Sequence, residues 1–484
     1  MLRCKDTKNL KELLSVYKQE SLTPSNFLRV FKAGELLRVL KSQDSVKTKG
    51  TPISHLITLL IAFSYLNIEN INCLIRRHRE NTLQSGKDAF YRLMSNERID
   101  WRTMLWGFVV SSLRLINTRS SLKAGSTLRQ NVKCLIIDDT LLQKTGKTIE
   151  GVSFVFDHVT RRMVLGFKAL VAAYWDGFSI IPVDFSLHRE KGKNSEKPYG
   201  FDKKSLRRLF NYEREPDSAG STRKTELNHK KTESAIAILK RAVKHKLNFS
   251  YVLVDSWFTS ILFLNAVRSV NKGRVHLIGM LKDMSRRVVY NHKQLSLRDV
   301  FVSLPQITRS RKNRLHYKQA QVRMEGHTVN IFFTRQGING KWKMILSSDL
   351  SLSFNKVFEI YQIRWTIEVM FRESKQLFQI GSCQSNNLDH QIAHITISLF
   401  QHILLTILYR FEAYESRGLL FESVENQMDT ATLADRIYGL LIELVQIISE
   451  YLEMDAFDIV KNMLNDTTAV KSLNRILRLV DEAA

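Results

Sequence analysis

The stretch Tyr361-Gln-Ile-Arg364-Trp-Thr-Ile-Glu368-Val-Met-Phe-Arg-Glu-Ser-Lys375 restricts the fold more than any other part of the chain. At 100° per residue, a helix brings positions 361, 368 and 375 within about 40° of one another, with Arg364 about 60° to one side. One narrow face then carries a tyrosine, an arginine, a carboxylate and a lysine. Ile363, Ile367, Met370, Phe371, Leu377 and Phe378 cover the back, while Trp365 and Val369 crowd the other flank. So apolar a helix is expected to be largely buried, with its polar stripe opening onto a cleft. Arg364 and Glu368 alone would be an ordinary i,i+4 salt bridge worth roughly 0.2–0.5 kcal/mol. Their apolar flanks and the company of Tyr361 and Lys375 point to a site instead.

Upstream, two apolar runs end in aspartate. Val132-Lys-Cys-Leu-Ile-Ile-Asp138-Asp139-Thr140 and Tyr251-Val-Leu-Val-Asp255 each look like a buried central strand with an acid at its C-terminal end. Alternation sends Asp138 and Asp139 to opposite faces, so only one of them can serve a site. Asp255 could instead cap the helix that follows from Ser260, although its apolar lead-in favours the site. Asp184 lies mid-strand, and Asp157 and Asp176 read as turn or edge acids. Between the two runs, Gly151–Thr160, Met163–Trp175 and Phe178–Leu187 are β-rich, and Asp176-Gly177 is a hairpin signal.

The spacing Tyr-x2-Arg-x3-Glu-x6-Lys resembles the Y-R-E-K signature of DDE transposases from a large class of bacterial insertion sequences. That family also has two upstream aspartates on strand ends, and its Asp-x-Thr pattern matches Asp138-Asp139-Thr140 and selects Asp138. The resemblance covers residues from about 130 to 380. It implies an α/β fold: an RNase H-like mixed-sheet catalytic core with a β-rich insertion, flanked by helical N- and C-terminal regions. Asp138, Asp255 and Glu368 would be the catalytic, metal-binding triad, and Tyr361, Arg364 and Lys375 would contact phosphates near the transposon end. Three converging carboxylates repel unless a cation joins them, and oxygen-only ligands select Mg²⁺ or Mn²⁺. Two such ions suit phosphodiester cleavage and strand transfer. Some members form a DNA hairpin with help from a tryptophan of the insertion, for which Trp342 is the nearest candidate.

Charge agrees with a polyanionic partner. The net charge is +26, yet residues from Gln391 onward carry 7 Lys+Arg against 14 Asp+Glu, so the first 390 residues hold +33. Double-stranded DNA is the expected partner, and the acidic tail is expected to serve a homodimer in a synaptic complex. Cys4, Cys73, Cys134 and Cys383 lack CxxC spacing, which argues against zinc or a disulfide framework and fits a reducing cytoplasm. The N-terminus opens no signal peptide, and the apolar runs Leu56–Ile68 and Ile395–Tyr409 are short for a membrane span.

The expected organisation is a helical, basic DNA-end-binding region over 1–125, a catalytic core over 126–281 and 344–390, a basic β insertion over 282–343, and a helical dimerisation region over 391–484. Arg76, Arg77, His78 and Arg79 form a basic knot, and Lys87 and Arg92 sit on a helix that could meet phosphate. Residues 188–224 read as a polar loop suited to binding or disorder, followed by one helix from Thr225 to Lys246. Inactive DNA-binding proteins, hydrolytic nucleases of the same fold and RNA-binding proteins share parts of this pattern. The complete acid set argues against the first and last of these.

Overall fold

The structure, a computed structural model, describes residues 36–47, 49–63, 70–72, 86–119 and 127–411. Among the described residues the longer helices α1 (Leu36–Lys41), α2 (Ile53–Ala62), α3 (Lys87–Met94) and α4 (Trp101–Arg119) come first. Then come β1 (Cys134–Gln143), β2 (Ser153–Asp157), β3 (Arg162–Trp175) and β4 (Ile180–His188). Helices α5 (Ala219–Glu226) and α6 (Lys231–Lys244) lead to β5 (Tyr251–Val254), α7 (Ile261–Ser269) and β6 (His276–Leu281). The next stretch holds β7 (Arg287–Tyr290), β8 (Lys293–Ser296), α8 (Leu297–Ser303), β9 (Thr308–Ser310), β10 (Leu315–Met324) and β11 (His327–Gln336). Strand β12 (Lys343–Ser347) and helices α9 (Phe354–Gln362), α10 (Trp365–Leu377) and α11 (Leu388–Phe411) follow.

All twelve strands of the described residues join one mixed sheet. Its core runs β4-β3-β1-β5-β6: β1 and β3 pair antiparallel, β3 and β4 likewise, and β5 lies parallel to both β1 and β6. This is the mixed α/β architecture expected from the sequence, with the order of an RNase H-like sheet. The hairpin between β3 and β4 turns at Asp176-Gly177, where Gly177 adopts φ +109° and any Cβ would strike the Gln130 carbonyl. Beyond β6 the sheet continues through β12, β11 and β10, so the basic β-rich stretch extends the core sheet edge to edge.

Side chains far apart in sequence fasten helices onto this sheet. Asp184 of β4 is fully buried and accepts from Arg102 Nε (3.1 Å), Arg241 Nε (2.5 Å) and Trp106 Nε1 (3.2 Å), joining α4 and α6 to the strand. Arg102 also forms a two-point pair with Glu226 of α5. Helix α11 packs Phe400 on Phe108 of α4, and its Gln401 amide donates to the carbonyls of Leu60 and Ile61 in α2.

The sequence reading needs correction in four places. Residues 188–224 are not a free loop. Arg214 reaches Glu150 (2.7 Å) and Asp389 (2.9 Å), and Lys203–Arg207 and α5 are helical, because charge partners supplied by distant elements hold the segment. The helix expected from Thr225 to Lys246 is two helices, interrupted at 227–230, where Leu227 plugs into the core and the His229 carbonyl meets the His188 ring. The helix of the opening stretch bends between α9 and α10, where the Arg364 amide bonds the Tyr361 carbonyl in a tighter turn. It ends at Leu377. Trp365 is 61% exposed and does not crowd a buried flank. The basic knot at 76–79 and most of the acidic tail lie outside the described residues.

Asp184 is held below the ordinary carboxylate range: burial alone would push it up, but Arg102, Arg241 and Arg223 outweigh that. Its contribution to stability is therefore present above about pH 4 and is lost as the pH falls through the depressed folded value. Asp184→Ala should cost roughly 3–5 kcal/mol at neutral pH, since it strands buried guanidinium groups. Asp157→Ala, at an exposed turn, should leave stability close to that of the wild type. Urea unfolding midpoints of the two variants test the difference.

Candidate active site

Strand pairing sets the first two acids side by side. Ile137 is in register with Val254, so Asp138 and Asp255 are the next residues on adjacent parallel strands. Strand β5 ends at Val254, which leaves Asp255 at a strand end as expected. Asp138 differs: β1 continues to Gln143 because β3 pairs with it along its whole length, so this acid is mid-strand. Partners confirm the opposite faces of the neighbouring acids. Asp138 meets Arg364, whereas Asp139 meets Lys231 of α6 at 2.5 Å. Asp255 is not a helix cap: Ser260 accepts from the Phe263 amide, while Asp255 Oδ1 accepts from the Trp257 amide at 2.9 Å.

The third acid arrives on α10. Arg364 donates through Nη1 to Asp138 Oδ2 (2.6 Å) and through Nη2 to Glu368 Oε1 (2.7 Å), so one guanidinium joins the sheet acid to the helix acid. Lys375, two turns on, donates to Thr140 Oγ1 at 2.8 Å on the Asp138 face of β1. Tyr361 packs beneath Arg364, with the guanidinium carbon 5.8 Å from its ring centre. Its buried hydroxyl has no hydrogen-bond partner among the described residues. All six residues of the expected site therefore gather around the end of β5 and the middle of β1.

The electrostatics are those of acids kept from water. Burial, reinforced by the charge of Asp255, pushes Asp138 up to about 7 against the opposing pull of Arg364. Asp255 is also raised, mainly by burial and then by Asp139. Burial pushes the Tyr361 hydroxyl up and Lys375 down. Among the described residues no three His, Cys, Asp or Glu side chains are drawn together closely enough to hold a metal ion. Arg364 is the cation between Asp138 and Glu368. The donor set still fits a hard divalent ion. It consists of carboxylate oxygens, two of them raised by burial and by neighbouring acids, a state that added positive charge relieves.

Other acids have structural tasks. Asp157 and Asp176 accept from turn residues, as their sequence context suggested. Trp342 packs edge-on against Phe301 and under Arg335, which makes it part of the packing of the β-rich extension. A cavity of about 110 Å³ lies among Trp101, Arg102, Gly220, Arg223, Asp389 and Ile392, and none of the six site residues lines it. Sequence reasoning missed Lys231 and Trp257 beside the acids. The signal for the second was the aromatic residue two places after Asp255.

Residues 80–294 match a family model described as a DDE superfamily endonuclease, and residues 225–404 match one described as a transposase DDE domain. The matches support a transposase or endonuclease of the DDE superfamily. The first range contains Asp138 and Asp255 and the second Asp255 and Glu368, so the two overlap on the acid at the end of β5. DNA is the substrate that such a family implies. No curated protein matches the chain.

Asp138 offers a direct check of these electrostatics. An unfolded aspartate titrates near 3.9, so folding carries no penalty from this group below about pH 4, a growing one as the pH rises, and the full one above about pH 7. Asp138→Asn removes the buried charge and leaves Arg364 paired with Glu368. The variant should exceed the wild type in stability by roughly 1–3 kcal/mol at pH 8, with the gain fading toward pH 4. Urea midpoints across that range would show it.

Proposed function

We propose that the chain is a DDE transposase of the Y-R-E-K class, which binds the terminal inverted repeats of its insertion sequence and carries out cut-and-paste strand cleavage and strand transfer. The observation that carries this reading is the single guanidinium of Arg364 reaching both Asp138 and Glu368, while Asp255 borders Asp138 on the next strand. A surface ion pair would not be built from four residues of three separated segments.

Asp138, Asp255 and Glu368 would hold two Mg²⁺ or Mn²⁺ ions. Such ions, when bound, lower the pKa of an attacking water or 3′-hydroxyl and stabilise the leaving oxygen of the phosphodiester. The protein's own groups do the rest. Arg364 presents a planar, permanently charged fork matched to phosphate oxygens. Lys375 adds a second cation on the same face, and the unpartnered Tyr361 hydroxyl is a donor for a phosphate oxygen arriving between them. Burial of the acids excludes water from all but the open side of the cleft, where charge interactions are strongest.

In this reading residues 1–125 bind the DNA end, and the exposed Lys87 and Arg92 of α3 belong to that contact. The core comprises 126–281 and 344–390, and 282–343 is a basic insertion that lies along the duplex. The acidic region 391–484 joins two copies in a synaptic complex, working on DNA in the cytoplasm. A hydrolytic nuclease of the same fold is the second reading, favoured by the endonuclease description of one family match.

The test is Mg²⁺-dependent cleavage of DNA carrying the ends that bracket the gene. Glu368→Gln should lower cleavage by at least about 100-fold, beyond what loss of an outer-shell partner costs, while end binding is retained. Equal cleavage by wild type and variant would end the catalytic assignment. Joining of the cut 3′ end to a second duplex separates the transposase from the nuclease. Lys375→Ala should reduce the slope of log K against log salt by about one.

A further inference from the structure

Three helices begin around the cavity beside Trp101. Its wall takes Trp101 and Arg102 from the first turn of α4, Gly220 and Arg223 from the start of α5, and Asp389 from the first turn of α11. The positive ends of three helix dipoles therefore meet there. Their backbone amides are largely spent on caps: Thr103 donates to Asp100, Ser221 to Ser218 and Asp389 to Asn387. Two side-chain donors are not spent. Trp101 is 3% exposed and Arg223 6%, and neither Trp101 Nε1 nor Arg223 Nη2 has a hydrogen-bond partner among the described residues. A buried donor left unmet is costly. Charge is uneven as well, because Arg102, Arg223 and Arg241 share two carboxylates, Asp184 and Glu226. Burial, and then the charge of Arg102, holds Arg223 down at about 10, as expected of a cation short of negative neighbours. The acids on the cavity wall are already engaged, Asp100 by Thr103 and Asp389 by Arg214.

We propose that this cavity binds a small oxyanion of the phosphate type, held by the Trp101 indole N–H and by Nη2 of Arg223 where the three helices start. Water meets such donors but brings no charge, whereas an oxyanion supplies both acceptors and the missing negative charge. With both donors more than nine-tenths buried, a free ion suits the site better than a backbone phosphate, which carries a sugar on either side. A bound anion ties α4 to α5 and α11, and so stabilises the junction of the N-terminal helices with the sheet. The site is separate from the acids around Arg364, and the inference does not depend on the reading of the chain as a transposase.

The test is calorimetric titration of the full chain with inorganic phosphate in a chloride buffer of constant ionic strength, with thermal unfolding as a second readout. Phosphate also stabilises folded proteins by exclusion, so variants decide the matter. Trp101→Phe keeps an aromatic ring and loses the donor. It should weaken phosphate binding by roughly tenfold, the scale of one hydrogen bond to a charged group. Arg223→Lys keeps the charge and loses the fork, and should weaken binding by a similar factor; if it fails to fold, Trp101→Phe decides alone. Lys375→Ala, at the acid site, should bind phosphate as the wild type does. The rise in melting temperature with phosphate should shrink in the first two variants and persist in the third. Equal phosphate affinity in wild type and Trp101→Phe overturns the proposal, as does phosphate binding that disappears in Lys375→Ala. Duplex DNA provides the last arm: Trp101→Phe should bind it as tightly as the wild type. Loss of duplex affinity in that variant would hand the donors to a backbone phosphate and overturn the free-ion site.

Discussion

Arg364 holds together parts of the molecule that have no other reason to meet. Its two terminal nitrogens bind a carboxylate on β1 and a carboxylate on α10, residues separated by nearly half of the chain. Buried acids are costly unless they are paired, and a guanidinium is the side chain that can serve two at once through separate nitrogens. Helix α10 is thereby set against the sheet at one register. Lys375 marks the same register two turns later by reaching Thr140. Displacement by one residue would swing Glu368 about 100° away from Asp138.

The sheet supplies the other half of the geometry. Strand β1 has β3 on one side and the shorter β5 on the other, so the chain can leave the sheet after Val254 while β1 continues. That difference in length turns a neighbouring pair of strands into a ledge holding Asp138 and Asp255. Behind it, the Asp184 and Arg214 ion-pair networks tie α4, α5, α6 and the start of α11 to the core. Both networks are nearly dry, where an ion pair with one partner removed is far more damaging than it would be at the surface. They make the acids' scaffold stiff without contributing to the chemistry.

Positive charge is spread differently from these fixed pairs. The stretch from 282 to 343 carries 14 Lys+Arg against 3 Asp+Glu, and its strands continue the core sheet beyond β6. Cations lying along an extended sheet suit a long, uniformly charged partner better than a compact ligand. Lys282 stands where this basic extension begins and also touches the ring of Trp257, so the charge reaches to the edge of the acid site.

Much of this was legible in the sequence because its signals are local. Apolar runs ending at Asp138 and Asp255, the turn at Asp176-Gly177 and the residue spacing from Tyr361 to Lys375 depend only on the period of a strand or helix and on the chemistry of a turn. Those features pointed to the kind of fold and to candidate acids, and the resemblance to a family signature singled out the six side chains. Tertiary structure alone decided the rest. Residues 188–224 looked unstructured because Glu150 and Asp389, which pair with Arg214, lie 64 and 175 residues away from it. Asp184 looked like an unremarkable strand acid until α4 and α6 brought it arginines. That Arg364 would join Asp138 to Glu368, that Trp365 would be exposed, and that Trp257 would stand between two lysines all depend on how separate segments pack. Periodicity reports which face a residue occupies, whereas only the folded chain determines what that face meets.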